Sequence, residues 1–164
     1  VMPMTESLPF SILNAAQPLP PIRDGLAWFH LAKSEKTLRL PLFISKVAAG
    51  FPSPADDYVE KTLDLEELLI QKPAATFFVR AQGDSMLGAG IHPNDILVVD
   101  RSREPMPDKI VICAVNGELT VKRLIVADGQ WRLKAENPAY PDIPLTEDLE
   151  TVFWGTVTNV IHPV

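Results

Sequence analysis

The sequence predicts a mostly β protein: a compact folded-sheet or barrel-like domain carrying an extended N-terminal arm. Three observations predict it. Short runs rich in β-branched and aromatic residues fill the chain from Thr76 onward, Asn-Gly and Asp-Gly pairs punctuate those runs, and prolines interrupt the chain before them.

The arm comes first. Pro3, Pro9, Pro18, Pro20 and Pro21 break up residues 1–40, and Gln17-Pro18-Leu19-Pro20-Pro21 reads as an extended linker. Within the arm, Leu26-Ala27-Trp28-Phe29-His30-Leu31-Ala32 suits a short helix that needs something to dock on. Pro41-Leu42-Phe43 and Phe51-Pro52-Ser53-Pro54 are extended, and the uncharged run Val47-Ala48-Ala49-Gly50 between them has the composition of a flexible connector. Leu63 to Ile70 suits one or two turns of amphipathic helix.

Strands are expected at 76–81, 96–99, 110–115, 119–126, 131–133 and 152–161. Asn116-Gly117 and Asp128-Gly129 lie between consecutive runs, where a two-residue hairpin needs residues that tolerate positive φ. Short strands joined by tight turns favour an all-β architecture.

Composition narrows the function. The chain has 164 residues, enough for one domain and a tail, and 46% of them are hydrophobic. No stretch holds the roughly 18 consecutive apolar residues that a membrane helix needs. No secretory pattern opens the chain either, so a cytoplasmic protein without a membrane partner is expected. The formal net charge is −6 and the basic residues are scattered, which speaks against direct nucleic-acid binding. The single cysteine, Cys113, excludes an internal disulfide and reads as a buried thiol in the apolar run Ile110 to Val115. His30, His92 and His162 are far apart in sequence and lack metal-ligand spacing, so neither a metal nor a cofactor is expected.

Two polar positions invite chemistry. Gly83-Asp84-Ser85-Met86 follows the first strong strand and places a hydroxyl at a sharp turn, although by itself it is ordinary turn chemistry. Lys122 lies in the strand Glu118 to Leu124, on the face opposite Leu119 and Val121, as a solvated lysine would. Leu124 shares its face and leaves burial open.

Four segments together resemble the LexA/UmuD family of self-cleaving serine–lysine peptidases (S24). Ala49-Gly50-Phe51-Pro52-Ser53-Pro54-Ala55-Asp56-Asp57-Tyr58-Val59-Glu60 is similar to the family's cleavage segment, and Gly83-Asp84-Ser85-Met86 to its nucleophile motif. Gly90 to Asp100 is similar to its Gly-Ile…Gly-Asp…Val-Asp stretch, with Asn94 in place of a glycine, and Glu118 to Leu124 to its lysine strand. Ser85 follows Gly50 by 35 positions (85 − 50) and Lys122 follows Ser85 by 37 (122 − 85), in the order and spacing of the family. The similarity runs from about Pro41 to the C-terminus. There are two departures: residues 1–40 extend beyond the short arm of UmuD-type members, and Ala49-Gly50 resembles the Ala–Gly bond of the LexA branch rather than the Cys–Gly bond of the UmuD branch.

The resemblance implies a LexA-type C-terminal peptidase domain over residues 50–164, with an arm, residues 1–49, removed by self-cleavage at Ala49–Gly50. Ser85 is then the nucleophile and Lys122 its base. A lysine serves as a base only when neutral. Its ordinary pKa is about 10.4, and burial lowers it by up to about 3–5 units. Met86, Leu124 and the strand at 96–99 are the expected apolar walls, and N–H groups of the Asp84–Ser85 turn the expected oxyanion donors. The small Ala49 suits a tight pocket, Gly50 a close backbone approach and Phe51 an anchor.

The resemblance further implies an SOS-response mutagenesis protein whose cleavage is stimulated by a RecA–single-stranded-DNA filament. The shortened homodimer would serve a UmuC-type Y-family translesion polymerase. The alternative is a LexA- or phage-type transcriptional regulator, for which residues 1–40 are too short and proline-broken to supply a DNA-binding domain. A signal-peptidase-like processing enzyme would need a membrane anchor.

Overall fold

Period-two alternation commits each β-branched run to a sheet, and the strands follow that pattern closely. The computed structural model describes residues 8–12, 27–30, 39–43 and 59–164. Its strands are β1 (Ser11–Ile12), β2 (Ala27–His30), β3 (Arg39–Phe43), β4 (Val59–Asp64), β5 (Thr76–Arg80), β6 (Ile96–Asp100), β7 (Ile110–Val115), β8 (Glu118–Ala127), β9 (Gln130–Lys134), β10 (Ile143–Pro144) and β11 (Thr151–Ile161). Among the described residues one short α-helix, α1 (Leu65–Leu69), accompanies them. The protein is mostly β, as expected.

The chain divides into two compact units, residues 1–31 with 72–164 and residues 32–71. The first holds a nine-stranded sheet in the order β10-β9-β8-β7-β11-β6-β5-β2, with β1 beside β11. Every neighbouring pair along that order is antiparallel, and β1 alone runs parallel to its partner. Asn116-Gly117 turns β7 into β8 with φ of 48° and 81°, and Asp128-Gly129 turns β8 into β9 with φ of 51° and 74°. Positive φ at both central positions matches the right-handed twist of the flanking strands, which is why these dipeptides were legible as hairpins.

β7 and β8 are covered on both faces. Ile112 and Val121 enter a core with Phe77, Val79, Leu97, Val99 and Trp154. Val111, Cys113 and Leu124 enter a second core with Leu133, Leu145 and Phe153. The Cys113 thiol is buried as expected, and burial pushes its pKa up to about 12, so it is an inert packing group. β11 serves three partners: its first half pairs with β7 and with β1, and its second half with β6, with a register shift in the β7 and β6 pairings. Such irregularities let one long strand bend between neighbours.

The arm departs from expectation. Ala27–His30 is not helical but forms β2, registered against β5 from Ala27↔Arg80 to His30↔Phe77. A seven-residue helix has little stability of its own, whereas adding a strand to an open sheet edge satisfies a full row of backbone groups. The arm also supplies Phe10, buried against Trp131 and Phe153 at ring separations of 5.7 and 6.3 Å.

In the second unit, β3 and β4 form a two-stranded antiparallel sheet. The helix expected over Leu63 to Ile70 is realised as Leu65–Leu69, because Asp64 caps it by accepting the N–H of Glu66 at 2.9 Å and of Glu67 at 3.3 Å. Ala49 and Gly50 lie outside the described residues. Among the described residues no helix is long and apolar enough to cross a membrane.

Candidate active site

Ser85 sits where β5 has ended and the chain must turn. Gly83 takes φ of 73°, and a single 3-10 turn over Leu87–Ala89 follows. Met86 plugs the first core at 2% exposure and accepts the N–H of Ala89 and of Ile91 at 3.0 and 3.2 Å. Burial of Met86 thus pins the loop from beneath and leaves Ser85 half-buried at its rim.

A second loop, after β9, braces the first. Asn137 Nδ2 donates to the Asp84 carbonyl at 2.9 Å, Tyr140 Oη donates to Asp84 Oδ1 at 2.5 Å, and the Gly88 N–H donates to the Glu136 carbonyl at 2.8 Å. A side chain at Gly88 would stand 2.7 Å from that same carbonyl, so only glycine permits the contact. The bond to Asp84, and then the Asp84 charge, raise the Tyr140 pKa and keep that phenol protonated. Glu136 is held in turn by an ion pair with Arg123, the residue after Lys122.

Lys122 comes from the middle of β8 and is only 8% exposed. Its Nζ donates to Ser85 Oγ at 3.1 Å, to Thr120 Oγ1 at 2.9 Å and to the Val121 carbonyl at 3.1 Å. All three acceptors are neutral. Burial is therefore not offset by a carboxylate, and it lowers the Lys122 pKa from the ordinary lysine value. Thr120 shares a strand face with Lys122, two residues away, which is how its hydroxyl reaches the amine.

The three acceptors match the three N–H bonds of an ammonium. When one proton leaves, two N–H groups remain for Thr120 and Val121, and the lone pair is left to face Ser85 Oγ. In that state the amine can accept the serine proton.

These residues border a groove of about 310 Å³ lined by Gln82, Gly83, Asp84, Ser85, Leu119, Thr120, Val121, Lys122 and Tyr140. Ser85 and Lys122 are thus brought together from opposite ends of a 37-residue separation. The expected walls differ. Met86 and the strand at 96–99 pack into the first core and Leu124 into the second, so Leu119, Val121 and Tyr140 supply the apolar surface of the groove instead. Thr120 and Tyr140 were missed by sequence reasoning. Thr120 was reachable from strand alternation about Lys122, whereas nothing local marks Tyr140.

His92 and His162 are distant in sequence, but the fold brings both to the buried carboxylate of Asp95. Sequence spacing carries no information on ligands contributed by separate strands of a sheet.

A protein-family model described as Peptidase S24-like matches residues 41–158. Protein SamA of Salmonella typhimurium is 50% identical over 122 residues, covering 74% of this chain and 84% of that protein. Protein ImpA of Salmonella typhimurium is 44% identical over 128 residues, covering 74% and 83%. Protein MucA of Escherichia coli is 37% identical over 139 residues, covering 83% and 94%. These relatives are UmuD-like S24 proteins.

Proposed function

Because the chain belongs to the Peptidase S24-like family, we propose that it cleaves its own Ala49–Gly50 bond, with Ser85 as nucleophile and Lys122 as general base. The observation that carries this reading is the 3.1 Å approach of Lys122 Nζ to Ser85 Oγ, made by a lysine whose other partners are all neutral.

In the proposed reaction, neutral Lys122 takes the Ser85 proton as Oγ attacks the Ala49 carbonyl carbon. N–H groups of the Asp84–Ser85 turn hold the oxyanion. The Lys122 ammonium returns its proton to the Gly50 nitrogen as the C–N bond breaks. Water, deprotonated by the same lysine, then releases Ala49 from the serine ester.

The family's self-cleaving, SOS-mutagenesis character supports a wider role for this chain, with the cytoplasm proposed as its place of action. Cleavage is stimulated by a RecA–single-stranded-DNA filament, and the product from Gly50 onward, a homodimer, serves a UmuC-type Y-family polymerase. The formal charge of −6 suits a protein that reaches DNA through partners. The filament acts by holding the cleavage segment docked over the groove, where exclusion of water neutralises Lys122. High pH replaces it by removing the proton directly.

The test is cleavage of the purified chain at pH 7 and near pH 10, with and without filament, read by fragment mass. The reading expects one cut, at Ala49–Gly50, and a filament effect far larger at pH 7. Equal stimulation at both pH values, or cleavage of Ser85→Ala with filament present, contradicts it.

A further inference from the structure

Outside the Ser85 groove, one group of side chains among the described residues has the composition of a metal centre. Asp95 opens β6 from a turn and is 1% exposed. One carboxylate oxygen accepts the His92 backbone N–H at 2.8 Å, and the other lies 2.6 Å from His162 Nδ1. His92 Nδ1 approaches the first oxygen at 3.6 Å. The two imidazoles stack on each other, centroids 4.3 Å apart with 26° between planes. One nitrogen from each ring and one Asp95 oxygen lie within 4.8 Å of one another.

We propose that His92, Asp95 and His162 form a binding site for a borderline divalent cation of the Zn²⁺ class. Two imidazoles and one carboxylate are a ligand set that such ions favour over Mg²⁺ or Ca²⁺, which prefer all-oxygen shells. Metal–ligand bonds of about 2.0–2.2 Å place ligand atoms roughly 3–3.6 Å apart, so the triad must close by about an ångström. The anchor is rigid: Asp95 is buried and fixed by a backbone N–H. The movable members are the rings, 46% and 40% exposed at His92 and His162, which can rotate about their side-chain bonds to make that closure. Their exposed edges leave the remaining coordination positions to water.

Binding is a simple exchange. The ion takes the place of the His162 Nδ1–Asp95 hydrogen bond, and each neutral imidazole keeps its single N–H on the ring nitrogen that does not bind the ion. The ion then ties the turn ahead of β6 to the end of β11. That turn follows the Ser85 loop in the chain, but none of the three ligands borders the Ser85 groove. The site is therefore separate from the peptide-cleaving residues.

The test uses the untagged full chain. Zn²⁺ is titrated by calorimetry, Co²⁺ by visible absorption, and Ca²⁺ as the oxygen-preferring control. We expect one equivalent of Zn²⁺ bound, a Co²⁺ spectrum of low-symmetry coordination, no Ca²⁺ binding, and a higher melting temperature with Zn²⁺. His92→Ala and His162→Gln should each weaken Zn²⁺ binding by at least about tenfold, while His30→Ala leaves it unchanged. In the unaltered protein, Zn²⁺ should also shift the imidazole NMR signals of His92 and His162, a readout that does not depend on any variant folding. Absence of saturable Zn²⁺ binding overturns the proposal. So does unchanged affinity in either variant, or Zn²⁺ binding that leaves both imidazole signals in place.

Discussion

Lys122 and Asp95 are both ionisable groups taken almost wholly out of water, and the protein treats them in opposite ways. Burial alone pushes the Asp95 carboxyl up, but the His92 backbone N–H, then His162, then the charges of both histidines outweigh it and hold the pKa below the ordinary carboxylate value. Every partner of Asp95 favours its charge. Among the described residues, Lys122 has three hydrogen bonds to neutral acceptors and no opposite charge beside it, so burial decides and the amine is pushed toward neutrality. The charge of Asp95 is surrounded by compensation, whereas that of Lys122 is denied it, which is the environment a proton-transferring amine requires.

The comparison breaks most visibly in activity. Lys122→Ala and Ser85→Ala should each reduce self-cleavage by at least about a thousandfold, measured as fragment yield at pH 10. Lys122→Arg should be equally inactive, because a guanidinium keeps its proton throughout the usable range. Asp95→Ala should leave the chemistry of Ser85 in place and instead cost about 2 kcal/mol of stability, the scale of hydrogen bonds to a charged buried group. Urea denaturation checks it, and a loss of cleavage without a loss of stability would erase the distinction between the two sites.

Smaller effects sharpen it. Thr120→Val removes one of the acceptors of Lys122. The ammonium loses support, so the midpoint of the rate-against-pH curve should move to lower pH. The plateau should fall by about tenfold as the amine loses its orientation. A merely structural Thr120 would not move the midpoint.

The smallest effect is on stability. The folded-state pKa of Lys122 lies below its unfolded value of 10.5, so between the two the unfolded chain binds more protons and stability rises with pH. Lys122→Met should therefore be more stable than the unaltered chain at pH 7, by about 1 kcal/mol, with an advantage that shrinks as pH approaches 10.5. Thermal melts across pH 7–10.5 report it.

How legible these features were in the sequence depends on how local their causes are. β5 to β9 and β11 were readable because alternation and the Asn116-Gly117 and Asp128-Gly129 turns act within a few residues. β2 was misread because its conformation is set by pairing with β5, some fifty positions downstream, and β1 is a two-residue strand that no local pattern announces. Ser85 and Lys122 stood out only through motif resemblance, since a turn serine and a strand lysine are unremarkable alone. Asn137 and Tyr140, which brace Asp84, and the His92–Asp95–His162 group are assembled by long-range topology and leave no local trace.

The central claim is that Lys122, neutralised by burial rather than by a partner, activates Ser85. The most direct test is the rate of self-cleavage in the absence of any filament, measured from pH 6 to pH 11 by intact mass. The account predicts two fragments separated at Ala49–Gly50, a rate that rises with the loss of a single proton, and a midpoint below the ordinary lysine value of 10.5. A rate independent of pH, a midpoint at or above that value, or the same fragments from Ser85→Ala would contradict it.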